Sequence, residues 1–335
     1  MVNVVIEKND AGQRLDRFMK KYLKRAPLSM IYKLIRKDIK VNGRRGKEDT
    51  ILSEGDELSI YISSEKLAEL SAPAKKQKIH SRRQFRIAYE DSNILVAVKP
   101  RGLLTHGDSH EKKKTLVNQV CGYLQDKGEF DPSREKTFSP APVNRLDRNT
   151  TGLVIFGKNA ESLRVLTAAI RSNRHVSKYY LTIVAGCFEN QMTIDSDLVK
   201  DAQSNTVSLA SGPEGKSALT IVRPYVPGRD FSIVEIELVT GRTHQIRVHL
   251  SEEGFPLIGD PKYGDPDVNR RVERSFGLTT QLLHAYRLEF SDMPGILSYL
   301  DGKTIKADLP PDFRRIQSAL FNESGAKTNS VRRKR

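Results

Sequence analysis

Apolar residues at Leu15, Phe18, Met19, Tyr22 and Leu23 recur at i, i+3, i+4, i+7 and i+8, one buried stripe of an amphipathic helix. Ala26-Pro27 interrupts the period, and Ser29 is placed to cap a second helix whose buried face is Ile31, Leu34 and Ile35. Ile39 and Val41 then lead into Asn42-Gly43, a strong hairpin signal, and Leu58, Ile60 and Ile62 alternate as a strand after the Gly55-Asp56 turn. Residues Ser63 to Arg83 carry Ser, Ala, Lys and Gln around Pro73 with no sustained apolar period, which predicts a linker. From Phe85 the period becomes two. FRIAYE and NILVAVK flank Asp91-Ser92-Asn93 as a hairpin, and LVIFGK, YYLTIVAG, ALTIVRPYV and FSIVEIELV read as further strands. Helical spacing returns at Leu163, Leu166 and Ile170, and more weakly at Leu116, Val120 and Leu124. Because strands often follow strands without an intervening helix, the pattern predicts an α+β fold with a mixed, largely antiparallel sheet, not a doubly wound one.

The chain has 335 residues, enough for two domains at about 150 residues each. Its 38% hydrophobic and 29% charged content is that of a folded protein. Charge changes the picture more, since 56 Lys and Arg against 41 Asp and Glu leave a net charge of +15. Twelve basic residues and only two acids, Asp16 and Asp38, lie between Gln13 and Gly46. Five more basic residues follow from Lys327 to the end without an acid, so a basic N-terminal module and a basic tail flank a near-neutral body. Such a balance fits a polyanionic partner, nucleic acid or an anionic membrane surface, although a charged helix face is often only a solvated one. No run approaches 18 apolar residues, and MVNVVIEKND lacks a basic n-region and an apolar h-region. Cys121 and Cys187 stand apart with no CxxC, which excludes a disulfide framework and a zinc finger; a cytoplasmic protein is expected. The segment 322–335 is polar and basic and is expected to be disordered.

Two segments concentrate chemistry. Val143-Asn-Arg-Leu-Asp-Arg-Asn-Thr-Thr-Gly-Leu153 sets Asp147 between Arg145 and Arg148, just before a strand; an Asp before a Thr/Gly turn is, on physics alone, most often a turn former or cap. Thr240-Gly-Arg-Thr-His-Gln-Ile-Arg-Val-His-Leu250 crowds Arg and His at a strand-to-helix corner. His244 and His249 are five apart with no Glu between them, which is not the HExxH arrangement, so no metal site is expected there.

Two resemblances organise these observations. RLDRFMKKYLKRAPLSMIYKLIRKDIKVNG with the later EGDELSIYI, spanning residues 13–62, resembles the S4 RNA-binding domain. This implies phosphate contact with structured RNA, with Arg14, Arg17, Lys33, Arg36, Lys37 and Lys40 as candidate contacts. Residues 85–315 resemble the RluA-type pseudouridine synthases through IAYEDSNILVAVKPRGLLTH, VNRLDRNTTGLVIFGKN, KYYLTIVAG, TGRTHQIRVHL with GFPLIGDPKYGD, and LLHAYRLEF, in family order. The organisation expected is an S4-like module at 13–62, a linker at 63–84, a catalytic domain at 85–315 and a tail at 322–335. The family's usual HRLD stands here as Asn144-Arg145-Leu146-Asp147, so the imidazole is absent and no catalytic role falls on position 144.

The resemblance implies isomerisation of uridine to pseudouridine in RNA. The N1–C1′ bond is cleaved, the uracil turns, and C5 is joined to C1′, with no cofactor and no metal. By motif, Asp147 is the catalytic carboxylate, whether it attacks C1′ or C6 or takes the C2′ proton. Arg247 is its partner, and Tyr180, rather than Tyr179, stacks on the uracil. Leu283 matches an apolar wall of the base pocket, and Arg145 matches an Arg that fills the gap left by the flipped base. An N-terminal S4 domain resembles the subset acting on large-subunit ribosomal RNA, which favours that substrate. A tRNA-directed synthase and a non-catalytic RNA-binding protein on the same fold are the alternatives, and a monomer with no membrane contact is expected.

Overall fold

The structure is a computed structural model, and it describes residues 1–71, 82–201, 206–210 and 212–321. Part of the predicted linker, 72–81, and the whole basic tail, 322–335, lie outside the described residues.

The N-terminal module runs β1 (Val2–Val5), α1 (Leu15–Tyr22), α2 (Leu28–Asp38), β2 (Ile39–Val41), β3 (Arg44–Arg45), β4 (Glu57–Ile60) and α3 (Ser64–Ser71). Its four strands form an antiparallel sheet in the order β1-β4-β2-β3. The stripe Leu15, Phe18, Met19 and Leu23 is fully buried against Ile31, Ile35, Leu58 and Ile60. Asn42 and Gly43 both have positive φ, 49° and 77°, the backbone that a two-residue turn matching strand twist requires.

Three details depart from the sequence reading. The module's sheet begins at Val2, eleven residues before the expected boundary, because Val4 enters the core opposite Leu58. Residues 64–71 are helix rather than linker: Leu67 and Leu70, three apart, close the same core, although the Ser/Glu/Lys content around them conceals so short a period. Ser29 does not cap α2. Pro27, at φ −59° and ψ 147°, holds the N-cap position without a side-chain bond, and Leu28 is the first helical residue.

The body runs β5 (Arg86–Glu90), β6 (Ile94–Lys99), α4 (Leu116–Asp126), β7 (Ala141–Pro142), β8 (Thr151–Gly157), α5 (Ala160–Ser172), β9 (Val176–Ala185), β10 (Met192–Asp201) and β11 (Thr206–Leu209). It continues with β12 (Lys216–Val226), β13 (Phe231–Leu238), α6 (Gln245–Glu252), α7 (Pro266–Phe276), β14 (Leu283–Phe290), β15 (Thr304–Lys306) and α8 (Pro311–Phe321). Among the described residues one sheet orders these strands β11-β10-β12-β13-β9-β14-β8-β6-β5, with β15 on β14 and β7 on β8. Among the described strands only β8 and β14 pair in parallel, so the expected α+β fold with a mixed, largely antiparallel sheet is what the chain forms.

Alternation along β8 sends Val154 and Phe156 to one face and Leu153 and Ile155 to the other, each into its own core. The first of these cores carries Tyr180, Ile236, Ile246 and Leu283, and the site lies on its side of the sheet. The parallel crossing is tight. Gly152 has φ 113°, and a Cβ there would stand 2.1 Å from the Ala285 carbonyl oxygen, so only glycine lets β8 and β14 meet.

Module and body touch through the 7–13 loop. Asn9 Nδ2 donates to Glu135 Oε1 at 2.7 Å, and Asn9 Oδ1 accepts from the Ala160 N–H at the start of α5 at 3.1 Å. Thr137 Oγ1 donates to Asp10 Oδ1 at 2.7 Å, and Arg164 donates to the Ala11 carbonyl at 2.9 Å. No described helix is long and apolar enough to cross a membrane.

Candidate active site

The loop from Asn144 to Thr150 carries Asp147 to the edge of a narrow pocket of about 50 Å³ between β9, β13, β14 and the start of α6. A Thr150 N–H to Asp147 C=O bond of 3.1 Å turns the chain, and β8 begins at Thr151. Asn144 Oδ1 accepts from the Ile155 N–H at 2.9 Å and its Nδ2 donates to the Leu153 carbonyl at 3.2 Å. Position 144 therefore pins the loop to β8 with an amide that needs no ring.

Arg247, on α6, meets the carboxylate from the far side. Its Nη1 donates to Asp147 Oδ2 at 3.1 Å, while its Nε and Nη2 grip the two oxygens of Asp260 at 2.7 and 2.8 Å. The guanidinium is 4% exposed and Asp260 is fully buried, so the fork is held in a fixed plane. Burial alone would raise the Asp260 carboxyl. The Arg247 bonds and charge, with the backbone N–H groups of Lys262 and Tyr263, outweigh it and hold the group below the usual carboxylate range. Burial pulls Arg247 the other way, and the two carboxylates more than compensate.

Tyr180 stands on β9, 4% exposed, opposite Ile236 and Ala285 in the neighbouring strands. Burial pushes its phenol up, and the Asp147 charge adds to that, so it stays a neutral hydroxyl. The adjacent Tyr179 points to the other face, where the Arg287 guanidinium stacks on its ring at 3.8 Å. Leu283 opens β14 and lines the same pocket. Arg145 is exposed at the rim and donates to Thr243 Oγ1 at 2.5 Å. The five body residues singled out from sequence, Arg145, Asp147, Tyr180, Arg247 and Leu283, thus line one pocket.

Three further groups were not reached by sequence reasoning. Asp260 sits in a Gly-Asp-Pro turn, where an Asp reads as a turn former; its only signal was membership of the GFPLIGDPKYGD segment. His244 is the α6 N-cap in left-handed backbone, φ 53°, and its Nε2 faces Asp147 Oδ2 at 3.8 Å. Its Nδ1 is 2.9 Å from the Tyr263 hydroxyl, whose oxygen also accepts from the Val207 N–H at 2.8 Å. Burial lowers this imidazole to about 4 against the pull of Asp147, and it is neutral at pH 7. Lys99, fully buried behind the loop, donates to the carbonyls of Pro100, Leu103 and Arg148 at 3.1, 2.7 and 2.8 Å. Burial lowers it to about 7, with Asp147 opposing.

His249 is engaged elsewhere, with Thr220 Oγ1 at 2.9 Å. Among the described residues no three His, Cys, Asp or Glu side chains converge as metal ligands would. The six basic residues of the N-terminal module are all exposed. Arg14 and Arg36 line a shallow groove of about 790 Å³ with Arg45 and Lys47, and Lys40 lies over the Tyr61 ring at 5.3 Å.

A carboxylate fixed by a buried guanidinium, beside a neutral tyrosine and an apolar wall, suits chemistry at a sugar carbon under a planar base. Comparison with known proteins points the same way. The family model described as RNA pseudouridylate synthase matches residues 93–252. The chain is 33% identical over 291 residues to ribosomal large subunit pseudouridine synthase C of Vibrio vulnificus (strain CMCP6), covering 86% of this chain and 88% of that one. It is also 33% identical over 316 residues to the protein of that name from Escherichia coli (strain K12), covering 92% of each. In fold it is similar to human RNA pseudouridylate synthase domain containing 4, with a TM-score of 0.55 at 21% identity over 70% of this chain and 92% of that one. With a third of the positions shared over nearly the full length, and Asp147 held against Arg247 inside the matched segment, the chain belongs to the RNA pseudouridylate synthase family and is a pseudouridine synthase.

Proposed function

We propose that the enzyme isomerises specific uridines of large-subunit ribosomal RNA, with Asp147 as the catalytic carboxylate. The observation that carries the site assignment is the Arg247 fork, which spends two donors on buried Asp260 and aims the third at Asp147 Oδ2. Fixing the carboxylate before substrate arrives removes a reorganisation cost from the reaction. The uracil stacks on Tyr180 against Leu283. Asp147, ionised, then attacks C1′ or C6 or takes the C2′ proton. The N1–C1′ bond breaks, the base turns in its pocket, C5 bonds to C1′ as Asp147 gives back the bond or proton it took, and the C5 proton leaves to solvent while N1 takes up one in its place. Arg145, exposed at the rim, enters the space that the extruded nucleotide leaves in the RNA stack.

The substrate class rests on the relatives, both named for the ribosomal large subunit, and on the basic face at residues 13–62. That face, through Arg14, Arg17, Lys33, Arg36, Lys37 and Lys40, supplies affinity by phosphate contact while the pocket supplies chemistry. The contacts of Asn9, Asp10 and Ala11 with Glu135, Thr137 and Arg164 support a module that works docked on the 85–315 domain. The reading includes a monomer acting in the cytoplasm, which sedimentation of the purified protein with and without RNA addresses.

Tritium release from C5-labelled uridine tests the proposal, with large-subunit rRNA, small-subunit rRNA and tRNA compared and Asp147→Asn as control. Release from large-subunit rRNA that the variant loses is the expected result. Release from tRNA alone overturns the substrate, and release that survives Asp147→Asn overturns the assignment of the carboxylate.

A further inference from the structure

A larger groove of about 550 Å³ adjoins the narrow pocket and shares Arg145, Tyr180, Leu238 and Arg242 with it. Its lining holds four cations, Arg145, Arg171, Lys178 and Arg242, and no acid. Two of these are occupied: Arg145 with Thr243, and Arg242 with the Ser217 carbonyl at 2.9 Å. Lys178 is different. It is 5% exposed, and its ammonium makes no hydrogen bond or ion pair with any described residue. The acid whose charge reaches it, Glu237, already accepts from Nη1 and Nη2 of Arg223, each at 3.1 Å. An ammonium so buried is costly unless something satisfies it, and no described residue does.

Its position names the partner. Lys178 and Tyr180 are two apart on β9, so both side chains face the groove, about 6.5 Å apart along the strand. One ribose spans that interval. A base stacked on Tyr180 therefore brings the phosphodiester of its own nucleotide to the Lys178 ammonium. Pro142, Val143, Ile170 and Leu238 add an apolar lining beside it, the mixture of cation and apolar surface that takes a single strand. We propose that Lys178 is a phosphate-binding residue, its ammonium holding the phosphodiester that flanks the uridine seated at Tyr180. This rests on the reading of the Tyr180 pocket as the uridine site. It separates Lys178 from the basic face of the N-terminal module: those side chains meet RNA from solvent, whereas Lys178 waits desolvated for one phosphate.

The test uses the full-length protein and transcribed large-subunit rRNA. Lys178→Met keeps length and apolar stem but removes the charge. Its affinity for the transcript falls about tenfold at moderate salt, as for loss of one charge-assisted bond. The slope of log affinity against log salt falls by about 0.7. In turnover the loss falls on KM more than on kcat, and Lys178→Arg recovers affinity and slope. The melting temperature of Lys178→Met rises, because an unpaired buried charge has gone. A folded Lys178→Met, or Lys178→Gln should the first not fold, that binds with wild-type affinity and slope overturns the proposal. Tritium release by the wild type with an unchanged slope in Lys178→Met removes the phosphate site alone. A shallower slope in an enzyme that releases no tritium from any RNA keeps the phosphate site and removes the uridine reading.

Discussion

Charge is used in opposite ways at the two ends of this molecule. In the N-terminal module Arg17, Lys33, Arg36, Lys37 and Lys40 are exposed, and strand and helix simply present them to solvent. In the pocket Arg247 is 4% exposed and shared between two carboxylates at 2.7 to 3.1 Å. Exposed cations act by number, each releasing counterions from a polyanion with little regard to exact position. A buried cation acts by geometry and is tolerable only because Asp260 neutralises it. Losing one member should therefore be mild in the first region and severe in the second.

The sharpest break of this comparison is Asp147→Asn, for which turnover falls on the order of 10³-fold or more while RNA affinity changes less than about twofold; single-turnover tritium release and filter binding read the two separately. Next comes Asp260→Ala. It strands the Arg247 guanidinium in a dry site and costs about 3–5 kcal/mol in urea unfolding, with turnover falling alongside. A variant of unchanged stability would show that Asp147 alone suffices to hold Arg247.

Acid titration probes the buried half from another direction. Burial lowers His244, His249 and His284 to about 4 from the usual 6.5. Between those values the unfolded chain binds protons that the folded chain refuses, so stability falls as pH drops from about 6.5 to 4. A melting temperature flat across it would contradict the burial of these rings. The smallest effect belongs to the basic face. Arg36→Gln or Lys37→Gln should lower affinity only a few-fold, each reducing the salt slope by about 0.7–0.9, and the double variant should add the two losses. A tenfold loss from one of them would mean that the module, too, reads by geometry.

How much of this was legible beforehand follows from the range of the interactions. Strands β8, β9, β12 and β13 announce themselves because their alternation or apolar runs are local. The pairing of Arg247 with Asp260 does not, since a Gly-Asp-Pro turn looks the same whether its carboxylate faces water or a guanidinium. The motif register brought Arg145, Asp147, Tyr180, Arg247 and Leu283 together on paper, and the fold sets them round one pocket. It gave no hint that Lys99 and Lys178 are buried, because a lysine before or within a strand reads as solvated. Helix α3 and strand β1 escaped notice for a plainer reason, being eight and four residues long with one or two core side chains apiece. Asn144 is the instructive case. A departure from the family's usual residue, it looks like a loss in sequence, yet its amide ties the 144–150 loop to the backbone of β8 at two points.

Among the described residues, the Arg247 bond and the His244 edge both meet the Asp147 carboxylate at Oδ2. The carboxylate is therefore not symmetric: one oxygen is tethered and the other takes no bond from a described residue. An asparagine at 147 must turn its carbonyl oxygen toward the Arg247 donor and present its NH₂ group to the open side. The usual neutral isostere would thus do more than remove a charge; it would replace the acceptor on the open side with a donor.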